Sequence, residues 1–273
     1  MKLIVITTEH FFDGESDALN LLFDNGMELL HLRKPDASEL ETAHLLEQIQ
    51  QKYHPRIVIH DHFSLTTRFH LKGVHFNRRN ILLYNSVGVE TVITPCKASA
   101  VARGKNDTNT HNSEGVELLR SSMIESGLRT PYCASLVRGY QCLPPTEATG
   151  YKNLMHLPWL GGTKSLSCHT LEELQQHSDM DYLFLSPIFN SISKHGYTSR
   201  FPESLLYELK AKGVIHEKII ALGGVNRQNI GKVKDYGFGG AAVLGGLWED
   251  FHHQQDADML LTRFKELQHA ATQ

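Results

Sequence analysis

The sequence predicts an α/β chain: a single (β/α)8 TIM barrel carrying a long irregular insertion after its fourth strand. Three observations predict it. Short apolar runs alternate with amphipathic stretches along most of the chain, the pattern of parallel strands linked by crossover helices. The strand and helix units so formed number eight. Several strand ends open into hydroxyls, glycines or cations, and in such a barrel the loops after the strands build the functional face.

Leu3 to Thr8 reads as the first strand and ends in two threonines. Glu15 to Asp24 reads as a helix with Ala18, Leu19, Leu21, Leu22 and Phe23 on its apolar face and Gly26 as its stop. Glu28 to Leu32 is the second strand, with His31, Arg33 and Lys34 at its end. A helix follows from Ser38, an N-cap with Glu41 three residues on, to about Tyr53. Arg56 to His60 is the third strand and runs into Asp61 and His62; Gly73 to Phe76 is the fourth, followed by polar Asn77, Arg78, Arg79 and Asn80. From Ile81 the alternation breaks into a segment rich in Asn, Thr, Ser and Gly, far longer than an ordinary connection. The chain therefore divides into 1–80, the first half of the barrel, an insertion over 81–162 whose structure the sequence does not specify, and 163–273, the second half.

Order resumes at Lys164 to His169, and Thr170 starts a helix with Glu172 and Glu173 in its first turn, where they favour the dipole. Strands from Tyr182, Lys218 and Gly240 complete the count, with helices near Pro202 to Ala211 and Asn226 to Tyr236 and a final helix.

Composition is that of an ordinary globular chain, 41% hydrophobic and 21% charged over 273 residues, enough to bury one large core. A net charge of -3 gives no general attraction for nucleic acid, so an anion site must be local. No apolar run reaches the roughly 20 residues that cross a bilayer, and Met1 to Ile6 lacks a cleavage site, which reads as cytoplasmic with no membrane partner. Cys96, Cys133, Cys142 and Cys168 show no close metal-ligand pairing and read as free thiols. Cys168 alternates to the face opposite Ser167 and His169, a buried rather than nucleophilic position. Trp159, Trp248 and His75 read as packing residues.

The most informative stretch is 181–196. Tyr182 to Leu185 is a run suited to a strand covered on both faces, and Pro187 ends it. Ser191, Ser193 and Lys194 then place hydroxyls and an ammonium on a loop ending at Gly196, a cradle for phosphate or pyrophosphate. A second apolar strand ends in Gly223 and Gly224, which let a ligand approach the backbone, with Asn226 capping the next helix; a third ends in Gly245 and Gly246. Three such strand ends suggest one anion site at the barrel rim. Separately, His60-Asp61-His62 is similar to the strand-end pair with which barrel hydrolases hold zinc.

Taken together, the residues from Pro187 to Lys194, Ala221 to Val225 and Ser167 to Glu172 resemble the thiamine-phosphate synthase and thiazole tautomerase (TenI) family, over about Leu3 to Asn80 and Ser165 to Trp248. The resemblance implies an enzyme of thiamine biosynthesis that couples hydroxymethylpyrimidine pyrophosphate to thiazole phosphate and releases pyrophosphate. It implies that Ser191 and Ser193 bind the thiazole phosphate beside Gly224 and Gly245, and that Arg33, Lys34, His60 and Lys194 surround the pyrophosphate. Asp61 would be the ligand of a Mg2+ ion. Lys194 and His169 are the implied catalytic residues. The chain differs from the family in carrying His31 for a glutamine, His60 for an asparagine and Asn80 for a second metal aspartate. Two alternatives stay open: a TenI-type tautomerase using His169 as proton shuttle, and a non-catalytic regulator that binds a phosphorylated ligand. The expected partners are small phosphorylated heterocycles, with homo-oligomerisation open.

Overall fold

Strands buried on both faces need apolar residues at nearly every position, and six of the eight strands here are buried from end to end. The computed structural model describes residues 1–78, 80–81, 162–190, 199–249, 251 and 256–273. Its strands are β1 (Lys2–Ile6), β2 (Leu29–Leu32), β3 (Ile57–Ile59), β4 (Gly73–Phe76), β5 (Thr163–Cys168), β6 (Tyr182–Leu185), β7 (Ile219–Ala221) and β8 (Gly240–Val243). All neighbours pair in parallel, in sequence order, and β8 returns to β1, so the sheet closes on itself. The architecture is the (β/α)8 barrel that the alternation predicts.

Alternate residues point to opposite faces of each strand, and this period separates two cores. Val5, Leu30, Leu32, Ile59, Val74, Phe76, Leu166, Leu185 and Val243 face the helices. Ile4, Ile6, Leu29, Val58, Tyr182, Phe184, Ile220 and Ala242 fill the barrel interior. That interior is apolar on β1, β7 and β8. From β2 to β5 it becomes more polar, because the inward residues there include His31, His60 just past β3, His75 and Ser165, all buried.

The helices are α1 (Glu15–Asp24), α2 (Glu39–Gln48), α3 (Leu65–Arg68), α4 (Leu171–Gln176), α5 (Glu203–Ala211), α6 (Ile230–Asp235), α7 (Gly245–Trp248) and α8 (Ala257–Thr272). Ser38 and Glu41 form a full capping box on α2, a feature worth about 1 kcal/mol. That helix stops at Gln48 rather than Tyr53. Pro55 lies in the following 3-10 turn, Gln51–Arg56, and its missing amide and ring cannot be accommodated in a continuing α-helix. Thr170 and Glu173 form a second capping box. Asn226 accepts from the amides of Gln228 and Asn229, so it caps the turn leading into α6, which begins at Ile230. Trp248 packs as expected, and its indole N–H donates to the carbonyl of Ile6 at 2.8 Å, tying α7 to the end of β1.

The chain divides into two units. One comprises Met1–Thr94 and Leu154–Gln273 and holds the barrel; the other, Pro95–Asn153, lies outside the described residues, as do Trp159, Cys96, Cys133 and Cys142. Among the described residues no helix is long and apolar enough to cross a membrane.

Candidate active site

Arg33 follows β2 directly, and its backbone is fixed by Thr7 at the end of β1. The Thr7 hydroxyl accepts from the Arg33 amide at 2.9 Å and donates to the Arg33 carbonyl at 3.1 Å. The guanidinium, about a third exposed, pairs with Glu9 at 2.8 Å. A half-exposed pair of this kind is worth about 1 kcal/mol or less, so an incoming anion competes with Glu9 at little cost.

Beneath this rim lies a floor of neutral polar groups. His31 Nδ1 is 2.9 Å from His60 Nε2, and His31 Nε2 is 2.7 Å from the Tyr182 hydroxyl. His75 Nδ1 and Nε2 lie 2.8 Å from the hydroxyls of Ser165 and Ser167 respectively. The His60 and His75 rings stack with centroids 4.2 Å apart. Burial holds His31 and His60 well below the usual histidine range and pushes His75 down to about 3, with the charge of Arg33 adding to the effect on His60 and His75. Burial likewise raises Tyr182, so its hydroxyl stays protonated. A neutral imidazole carries one N–H, so within the His31–His60 contact one nitrogen donates and the other accepts. Sequence reasoning treated His75 as packing and did not connect it with His31 and Tyr182. The available signal was parity: all three histidines fall on inward positions of adjacent strands.

Lys34 stands apart from this group. Its ammonium is buried and reaches both carboxylate oxygens of Glu15, at 2.7 and 2.8 Å, and the carbonyl of His10 at 2.8 Å. It also lies over the Phe11 ring. Burial raises Glu15 and lowers Lys34, and each is opposed by its partner. The structure thus gives Lys34 an internal anion, where the sequence suggested a pyrophosphate, and Glu15 was read only as the start of a helix.

The remaining site residues follow strand ends on the same rim. His169 follows β5; its Nδ1 is 3.1 Å from both the carbonyl and the hydroxyl oxygen of Ser186, contacts that fix the orientation of the ring. Asp61 is half-buried two residues past β3. His60 and His62 do not form a ligand pair: His60 turns inward, whereas His62 adopts a positive φ of 52° and lies 2.8 Å from the Ala37 carbonyl. Cys168 is buried on the outer face with its thiol pushed up to about 12 by burial, an inert position. Ser191, Ser193 and Lys194 lie outside the described residues, as does Arg79.

Gly224 has a φ of +66°, and a Cβ there would sit 2.1 Å from the carbonyl oxygen of Asn190, on the loop after β6. Gly245 opens α7 on the neighbouring strand end. Gly224 thus holds two rim loops together as well as exposing backbone. Gly224→Ala combines a left-handed backbone, costing roughly 1–2 kcal/mol, with a clash that displaces the loop carrying the serines. A lower melting temperature is expected for this variant; an unchanged one would contradict this role.

Comparison with known proteins adds the following. A family model described as thiamine monophosphate synthase matches residues 163–247. A thiamine-phosphate synthase of Psychrobacter sp. (strain PRwf-1) is 31% identical over 115 residues, 40% of this chain and 51% of the relative. The chain therefore spans about half the length of that curated relative. Among solved structures, a thiamine phosphate pyrophosphorylase from Bacteroides thetaiotaomicron is 30% identical, with a TM-score of 0.64 and coverage of 100% of this chain and 98% of that one. A thiamine phosphate pyrophosphorylase from Pyrococcus furiosus, 14% identical with a TM-score of 0.56 over 99% and 95% of the two chains, shares the fold.

Proposed function

Because the chain belongs to the thiamine-phosphate synthase and TenI family, we propose that it couples hydroxymethylpyrimidine pyrophosphate to thiazole phosphate with release of pyrophosphate. The observation that carries this reading is Arg33 standing at the mouth above an uncharged floor, near enough to lower both His60 and His75. A cation at the rim suits a phosphorylated tail, and neutral donors and acceptors below suit an uncharged heterocycle.

In this reading the bond from the methylene carbon to pyrophosphate breaks while the carbon joins the thiazole. Negative charge grows on the leaving oxygens, and Arg33 released from Glu9 meets it, together with Lys194. Ser191, Ser193 and the Gly224 backbone hold the thiazole phosphate. The donor set fits a Mg2+ ion held largely by the substrate. Asp61 offers one carboxylate, whereas Asn80, at the second family position, accepts from the Asn77 amide through its side-chain oxygen at 2.6 Å. Magnesium, when bound, supplies charge neutralisation on the leaving group.

His169 supports the tautomerase as a second reading, because an imidazole whose ring is oriented through Nδ1 suits a proton shuttle. One experiment separates the cases. Pure protein with Mg2+ and both substrates is expected to yield thiamine phosphate, and Asp61→Ala or Lys194→Ala to lower the yield by about 100-fold or more, as for lost electrostatic stabilisation. No product, with isomerisation of the carboxylated thiazole phosphate that disappears in His169→Gln, would replace the synthase by the tautomerase. Binding of thiazole phosphate with neither reaction would make the chain a ligand-binding regulator.

A further inference from the structure

His31, His60 and His75 come from three adjacent strand ends, and each offers a ring nitrogen within 4.8 Å of the other two. We propose that these residues form a three-histidine site for a divalent transition metal such as zinc, inside the barrel just below the mouth.

Four features support it. First, the ligand chemistry matches: neutral imidazoles suit zinc, copper or cobalt, whereas magnesium prefers the oxygens of Asp61 and a diphosphate. Second, the histidines already have the outer partners that orient metal ligands. His31 Nε2 faces the Tyr182 hydroxyl and His75 Nδ1 faces the Ser165 hydroxyl. With the protons on those two nitrogens, His31 Nδ1 and His75 Nε2 carry the lone pairs; His75 Nε2 now accepts from the Ser167 hydroxyl at 2.8 Å, a contact that the ion would replace.

Third, the closure consists of side-chain rotations: the Ser167 hydroxyl turns away from His75 Nε2, and the three ring nitrogens, now within 4.8 Å of one another, turn toward a common centre. Zinc–nitrogen bonds of about 2.0–2.1 Å put tetrahedral ligands roughly 3.3 Å apart. His31 Nδ1 and His60 Nε2 are 2.9 Å apart, so small ring rotations open that contact for an ion. With His31 protonated at Nε2, the proton in this contact is on His60 Nε2; it moves by a change of tautomer to His60 Nδ1, which frees His60 Nε2 as a ligand. Fourth, His60 is 7% exposed while His31 and His75 are almost wholly buried, which marks the side from which an ion enters. Three neutral ligands leave the ion's double charge uncompensated, so the open position would take an anion from the mouth.

The inference does not depend on the reaction proposed above, and its test needs no substrate. Chelator-treated full-length protein titrated with Co2+ is expected to take up one equivalent tightly, with the strong visible absorption of a four-coordinate centre, displaced by Zn2+. His31→Gln and His75→Gln should each abolish that spectrum. Tyr182→Phe should weaken binding about 10-fold by removing an outer partner. His44→Gln, at an exposed position on α2, should leave it unchanged. The chain has 17 histidines, so weak surface uptake without the spectrum counts against the site. Should the variants fold poorly by circular dichroism, X-ray absorption on the zinc-loaded native protein decides. Three imidazole nitrogens at about 2.0 Å are expected, and fewer than three overturns the proposal.

Discussion

Lys34→Met is expected to lower the unfolding free energy by about 3–5 kcal/mol, the usual cost of stranding a buried charge. Both side chains of the Lys34–Glu15 pair are at most 2% exposed, so water cannot replace the lost partner. The Glu15 carboxylate would keep its backbone setting at the start of α1 and have to be protonated or expelled. The double variant Lys34→Met, Glu15→Leu should recover most of the loss, because an apolar pair of similar volume is often as stable as the ion pair. Denaturant unfolding of the two single variants and the double variant gives the coupling energy. A Lys34→Met protein as stable as the native one but unable to bind pyrophosphate would return Lys34 to the rim role its place after β2 suggested.

Metal-free protein should lose stability steeply below about pH 6.5. Each of His31, His60 and His75 has a folded pKa lowered by burial, so the unfolded chain binds protons that the folded one refuses. Their neutral state contributes fully above the unfolded value near 6.5, and that contribution falls as pH drops below it, for His75 down to about 3, where burial pushes its folded value. The slope is about 1.4 kcal/mol per pH unit for each histidine, so three titrating together outweigh most surface groups. Unfolding midpoints from pH 8 to pH 5 test this. His75→Gln should flatten the profile, and a flat profile in the native protein would mean the cluster is open to water.

The barrel was legible because parallel strands must be apolar on both faces and helices on one, and those two periods survive in the sequence even without long-range information. Arg33, Asp61, His169 and Gly224 were legible for the same reason: strand ends are rim positions once the barrel is accepted. Lys34 was not, because its fate depends on Glu15, nineteen positions earlier, turning its carboxylate under the rim. The His31–Tyr182 contact joins residues 151 positions apart and depends on barrel closure, which no local pattern reports. The early end of α2 was legible in principle from Pro55, but its apolar spacing continues past the break.

The pairing of β4 with β5 aligns Gly73 with Thr163, ninety positions later in the chain. Every other sequential pair of strands is joined by a far shorter connection. The entropic cost of bringing two segments together rises with their separation in sequence, by about 0.6 kcal/mol per doubling. That seam therefore starts at a kinetic disadvantage, and the order of events in folding should favour two preassembled half-barrels that meet there late, with His75 and Ser165 coming into register at that final step.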